Sequence, residues 1–298
     1  MPARTSAARA RGRRPLPPYA RRRALAVGAL VVVVALVVAA GLGVRGWLQD
    51  RGVAPPQPGE ERCVATVKDR DVELDLDQAH YTSIVVGLSV RRGLAPRAGS
   101  IAMATVYQET GIRNLDYGDR DSVGLFQQRP SQGWGTERQL MDPWYATTKF
   151  YDALVRVRDW EDRDITKVAQ AVQRSAYPDA YADHEPDARV LASALTGQSE
   201  RSFTCLVHDD TAGDASALAE SLETTFRTTA KTDGKVVTMP AKSDKLAWAY
   251  AQYAVANAGR HGVRSVEVDG RVWTSNQFTL PTWVEGGDAG RTVRVTVR

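Results

Sequence analysis

The sequence predicts a mainly α domain, preceded by one transmembrane helix and followed by a small α+β domain. Three observations carry this expectation. Residues 24–44 hold no charged side chain. Residues 77–197 are a succession of helix-period apolar runs. Beyond residue 244 an apolar helical run gives way to short alternating segments.

Residues 1–23 form a basic tail with eight Arg and no acid. They leave 31 Lys+Arg against 35 Asp+Glu in the rest of the chain, from the totals of 39 and 35. The basic balance therefore belongs to the tail and is no argument for a nucleic-acid partner. The stretch 24–44, ALAVGALVVVVALVVAAGLGV, follows Arg21, Arg22 and Arg23, with only Arg45 and Arg51 close on the far side. Positive charge marks the cytoplasmic flank, so the N-terminus is expected inside and the remainder outside the cell membrane. The alternative is a cleaved signal peptide, with small residues at Val38 and Ala40 for a peptidase. Residues 45–62 contain VAPPQPGEE, a Pro-rich linker.

The next runs read as helices with recognisable ends. Residues 77–93 have Asp77 as N-cap and Gly93 as stop, and residues 96–111 open on Pro96 and end at Gly111. The segment 111–136 is too rich in Gly, Asp and Pro for regular structure. Residues 142–160 have Asp142 and Pro143 in the N-cap and N1 slots, and shorter helices are expected over 164–176 and 180–197. Residues 206–239 read as a linker. Residues 240–298 make the small domain: an apolar helix over 244–262, a hairpin around Asp269-Gly270 within 265–273, and a half-buried strand over 292–298.

The two cysteines, Cys63 and Cys205, bracket the helical segment. Outside the membrane such a pair favours a disulfide, worth roughly 4–5 kcal/mol by loop entropy. The four histidines, His80, His184, His208 and His261, show no metal-ligand spacing, and no metal or cofactor is expected.

Chemistry concentrates in residues 108–131, QETGIRNLDYGDRDSVGLFQQRPS. Glu109 occupies the last turn of its helix, where the backbone dipole disfavours a carboxylate. Partial burial behind the following loop disfavours it further. Both effects raise the pKa and favour a neutral acid able to donate a proton. Glu109-Thr110 is followed by Ser122-Val123-Gly124-Leu125-Phe126-Gln127-Gln128-Arg129-Pro130, then Asp142-Pro143, then Ser175-Ala176-Tyr177-Pro178. This order and spacing resemble the lytic transglycosylases of the goose-type lysozyme-like superfamily, here of an actinobacterial type given the Arg-, Ala- and Val-rich composition. The resemblance covers about residues 75–197. It departs from the family pattern in Thr110 for Ser, in Asn114 standing one position late, and in Pro178 for Asn.

The resemblance implies a lysozyme-like fold over residues 63–205. It also implies cleavage of the β-1,4 bond between N-acetylmuramic acid and N-acetylglucosamine in peptidoglycan, with a 1,6-anhydro product. Glu109 would serve as acid and then as base. Gly124, Leu125, Phe126 and Gln127 would line the cleft floor, and Tyr177 would orient Glu109. Trp134 and Tyr117 would be stacking platforms for sugars. Asp116, Asp119 and Asp121 are candidates for a second acid, since goose-type lysozymes position water with loop aspartates. Their other reading is turn chemistry or pairing with Arg113 and Arg120. The implied partners are glycan strands and unidentified cell-wall or division proteins, to which the uncharged stretch 24–44 adds the cytoplasmic membrane. A non-catalytic glycan-binding scaffold and a true hydrolase remain alternative readings. The C-terminal segment weakly resembles zinc D,D-carboxypeptidase-like domains, with Thr292 and Arg294, within Arg291 to Val295, where two histidine ligands would stand; it reads as non-catalytic.

Overall fold

A computed structural model describes residues 57–173, 181–208, 210, 212–287 and 289–298. The basic tail, the uncharged stretch 24–44 and most of the Pro-rich linker lie outside these residues, as do Tyr177 and Pro178. Among the described residues no helix is long and apolar enough to cross a membrane.

The chain from Gln57 to Arg298 is one compact unit. It opens with strands β1 (Arg62–Val67) and β2 (Arg70–Leu74), then helices α1 (Leu76–Arg91) and α2 (Pro96–Thr110). After a long loop come α3 (Glu137–Leu140), α4 (Pro143–Leu154), α5 (Ile165–Gln173) and α6 (Glu185–Leu195). Strand β3 (Phe203–Leu206) and helix α7 (Ala215–Phe226) follow. The last part holds β4 (Lys231–Asp233), β5 (Val236–Pro240), α8 (Asp244–Ala256), α9 (Ala258–His261), β6 (Val263–Val268), β7 (Arg271–Thr274), β8 (Val284–Glu285) and β9 (Thr292–Val297).

The expectation of a mainly α architecture is corrected here, because two antiparallel sheets frame the helices. One has the order β2-β1-β3, the other β4-β5-β9-β6-β7-β8. In the first sheet Cys63 lies directly opposite Cys205, and the two form a disulfide. The β1–β2 hairpin carries no Asn-Gly or Asp-Gly signal. Its turn uses Lys68 at φ 54, a conformation that lysine rarely advertises. The second hydrogen-bonding edge of β1 is filled only by β3, about 140 residues later. The stretch 206–239 is likewise no mere linker, since it contains α7, β4 and β5.

Local chemistry sets the helix ends. Helix α1 starts two residues earlier than expected: Asp75, not Asp77, is the cap, in a reciprocal capping box with Gln78. Asp142 accepts from the backbone N–H groups of Trp144 and Tyr145, and Pro143 takes the first helical position of α4. That helix stops at Leu154, short of the expected 160.

Helix α8 explains why residues 240–298 do not stand apart. Every residue from Ala247 to Ala256 is buried, so the helix is covered on all sides. It packs against β3, β6 and β9 and against helices α1 and α6. Gln252 binds across this junction, donating to the Ala194 carbonyl at 2.7 Å and accepting from the Ser202 N–H at 2.9 Å. Trp273 donates to Thr204 Oγ1 at 3.0 Å, and Trp283 to the Phe203 carbonyl at 3.1 Å. One apolar cluster runs through the unit, from Ala65 and Val86 to Trp248 and Val295.

Candidate functional site

Glu109 is the penultimate residue of α2, whose end is fixed by Gly111 at φ 60. Every residue of this helix from Ala98 to Val106 is buried. The side chain at 109 thus emerges at the boundary between core and loop. Tyr181 donates its hydroxyl to Glu109 Oε1 at 2.8 Å, and Gln173 Nε2 reaches the same oxygen at 3.4 Å. Among the described residues no donor reaches Oε2. Burial pushes the Glu109 pKa above the ordinary glutamate value, and the bonds from Tyr181 and Gln173 pull it partly back.

Thr110 ties the acid to the loop behind it. Its hydroxyl donates to the Leu125 carbonyl at 3.0 Å and accepts from the Arg113 N–H at 3.2 Å. Gln173 does the same from the other side, donating to the Phe126 carbonyl at 2.7 Å. The segment Gly124 to Gln127 is a four-residue turn closed by mutual backbone bonds of Val123 and Gln128, each 3.1 Å. Gly124 sits at φ 78 with the Leu140 carbonyl where a Cβ would project, so only glycine fits. Gln128 donates to the Ala146 carbonyl at 3.2 Å and pins the turn to α4.

In the segment expected as the cleft floor, side chains and backbone face different ways. The side chains of Leu125 and Phe126 are fully buried, and Phe126 stacks on Phe150 at 4.6 Å. They anchor the turn in the core, and it is their carbonyls that Thr110 and Gln173 hold. Gln127 lies across Gly118 and donates to the Tyr117 carbonyl at 3.2 Å, bracing the preceding loop. Tyr117 itself is 68% exposed.

The three loop aspartates separate. Asp116 and Asp119 are exposed, and Asp119 lies 4.0 Å from Arg120. Asp121 accepts from Arg129 Nε at 3.0 Å and from the Ser131 N–H and hydroxyl at 2.7 and 2.9 Å. These bonds, the Ser131 backbone first, hold its carboxyl down at about 2. Asp121 is a fixed anion that clamps the short 3-10 turn Pro130–Gln132. Arg113 pairs with Asp75 rather than with a loop aspartate.

Trp134 follows that turn, half-buried, and lines a cavity of about 470 Å³ together with Lys149, Asp152, Arg156 and Gln173. Asn114 donates to the Met141 carbonyl at 2.8 Å, a structural contact. The hydroxyl that reaches Glu109 is Tyr181's; Tyr177, expected in that place, lies outside the described residues. Tyr181 and Gln173 were missed by sequence reasoning. The only available signal was a second tyrosine in AYPDAYADH, four positions after the first.

Among the described residues no group of three His, Cys, Asp or Glu side chains is arranged to hold a metal ion. Arg294 is exposed on β9, in register with Thr238 and Glu267. No protein-family model matches the chain. A search of curated protein sequences likewise finds no match.

Proposed function

We propose that the protein cleaves the β-1,4 MurNAc–GlcNAc bond of peptidoglycan as a lytic transglycosylase, with Glu109 as its one catalytic residue. The observation that carries the reading is the asymmetry of that carboxyl. Both donors, Tyr181 and Gln173, engage Oε1, while burial favours the protonated form. A proton on Oε2 is then available to the oxygen of the leaving sugar. As the C1–O bond breaks, the muramic 6-hydroxyl attacks C1 and returns its proton to Glu109. The ring closes as a 1,6-anhydro sugar and no water is consumed. This chemistry needs one carboxyl, unlike the two-carboxylate pattern of ordinary glycosidases.

The resemblance in order and spacing from Glu109 to Pro143 supports the same reading. Asp121 is engaged with Arg129 and Ser131, which argues against its serving as the water-positioning acid of a hydrolase. The uncharged stretch behind eight arginines and the Cys63–Cys205 disulfide support a place outside the cytoplasm, facing the wall.

The test is product analysis. Purified peptidoglycan is digested with the protein and the muropeptides are resolved by mass. The expected products carry 1,6-anhydro ends, lighter by one water than a hydrolase product and inert to borohydride. Reducible ends establish the hydrolase instead. Intact glycan that co-sediments with wild type and Glu109→Gln alike establishes a scaffold.

A further inference from the structure

The cavity that Trp134 lines, which shares Gln173 with the Glu109 cluster, has a charge that the cleavage chemistry does not use. Its walls come from three places: the end of α4 and the residues after it, the end of α5, and the segment following the 3-10 turn. Gln173 belongs both to this cavity and to the Glu109 cluster, so one side chain links the two. At about 470 Å³ it lies within the size range of small-molecule sites.

Two cations line it, Lys149 and Arg156. Among the described residues neither has a carboxylate partner. Lys149 Nζ stands 5.3 Å from the Tyr145 ring centroid, a cation–π contact that leaves its charge uncompensated. Among the described residues of the lining the one carboxylate, Asp152, is already paired with Arg92 at 2.8 Å. The described part of the lining therefore carries a net positive charge next to an indole, Trp134. Its wall is stiffened from behind. Asp121 clamps the turn that leads to Trp134, and Tyr145 donates to the Trp134 carbonyl at 3.4 Å.

A neutral glycan gives no reason for two unpaired cations beside an aromatic face. A sugar that bears a carboxylate-rich substituent does: the ring packs on Trp134 and the anions meet Lys149 and Arg156. Resting on the peptidoglycan reading above, we infer that this cavity binds the acidic peptide stem of a muramic acid residue and makes Lys149 and Arg156 specificity-determining. The protein then favours peptide-bearing, carboxylate-rich strands over strands whose carboxylates are neutralised.

Binding and cleavage are read separately, so that this inference and the catalytic one fail independently. The full chain, carrying Glu109→Gln to suppress turnover, is sedimented with purified peptidoglycan at several salt concentrations. A second substrate is the same wall with its carboxylates converted to methylamides by carbodiimide and methylamine. Lys149→Ala with Arg156→Ala should weaken binding to native wall roughly three- to ten-fold, the size expected for two exposed charge contacts. It should also flatten the salt dependence. Amidated wall should bind the parent chain as weakly as native wall binds the double variant, and the double variant should not distinguish the two walls. Lys149→Arg with Arg156→Lys should restore preference for native wall, and unchanged thermal midpoints exclude misfolding. Equal binding of parent and double variant to native wall overturns the inference, as does equal binding of the parent to both walls. Charge-dependent binding without cleavage by wild type refutes the catalytic reading alone.

Discussion

The surroundings of Glu109 and the junction beneath α8 both bury polar groups, but they complete them differently. At Glu109, two donors converge on one carboxyl oxygen and leave the other unengaged within the described residues. At the junction the network closes on itself. His80 Nδ1 donates to Asn257 Oδ1 at 2.6 Å, and Asn257 Nδ2 donates to Ser83 Oγ at 2.9 Å and to the Tyr253 carbonyl at 2.8 Å. The Tyr253 hydroxyl meets Ser221 at 2.6 Å and Thr225 at 3.1 Å, and Trp144 Nε1 donates to Thr225 at 2.9 Å. A closed network joins helices from both ends of the chain and specifies their packing. An open one leaves an acceptor oxygen without a donor among the described residues.

The largest expected effect tests the open end. Glu109→Gln should lower cleavage of peptidoglycan by about 10²–10⁴-fold, measured by release of soluble muropeptides. It should also raise stability at neutral pH. The folded pKa of Glu109 lies above its unfolded value, so its contribution is fully present below the unfolded pKa and is lost as pH rises through the folded one. Urea midpoints of wild type and variant should therefore diverge in favour of glutamine on going from pH 4 to pH 7. A glutamine variant less stable than wild type at pH 7 breaks the contrast.

The closed end comes next. Asn257→Ala strands His80 and Ser83 and should cost about 2–3 kcal/mol in urea unfolding, with one transition for the whole unit. The pH dependence should have the opposite sign to that of Glu109. Burial lowers the His80 pKa to about 4, so its contribution is present above its unfolded value and lost as pH falls through about 4. Two separate transitions, one for residues up to 205 and one for residues beyond 240, contradict a shared junction.

Gly124→Ala sharpens the boundary between the two regions. The Leu140 carbonyl occupies the place of the added methyl and the backbone is left-handed there, so a loss of about 1–3 kcal/mol is expected. Because the turn is tied to Thr110 and Gln173, cleavage should fall in folded protein too. Unchanged turnover dissociates the turn from the acid. The smallest effect belongs to Asp121→Asn. Its carboxyl is held at about 2, so its contribution is present above the unfolded carboxylate pKa and lost as pH falls through about 2. Wild type should lose its thermal-midpoint advantage over the variant in that acid range, while turnover at neutral pH changes far less than with Glu109→Gln.

The helical segment was legible because its signals are local. Pro96, Gly111, Asp142 and Pro143 act within one turn of themselves, and their helices form close to where those residues place them. The sheets were less legible because their strands are completed by distant partners. β1 depends on β3, and β5 pairs with β9 rather than leading into a linker. The site shows the same division. Glu109, Gly124 and their spacing could be read from one loop, whereas Gln173 and Tyr181 reach the acid from α5 and from the turn before α6.

Sequence alone determined the acid at a helix end, the glycine turn behind it and the pairing of Cys63 with Cys205, since each follows from residue type and short-range geometry or from there being only two cysteines. Tertiary structure decided that the C-terminal segment shares one core with the helices. An α8 buried on every face cannot be covered by its own small sheet and must borrow the surfaces of α1 and α6. Tertiary structure also decided which hydroxyl reaches Glu109. Hydrogen bonding selects by distance in space, and Tyr181 lies 72 residues from the carboxyl it touches.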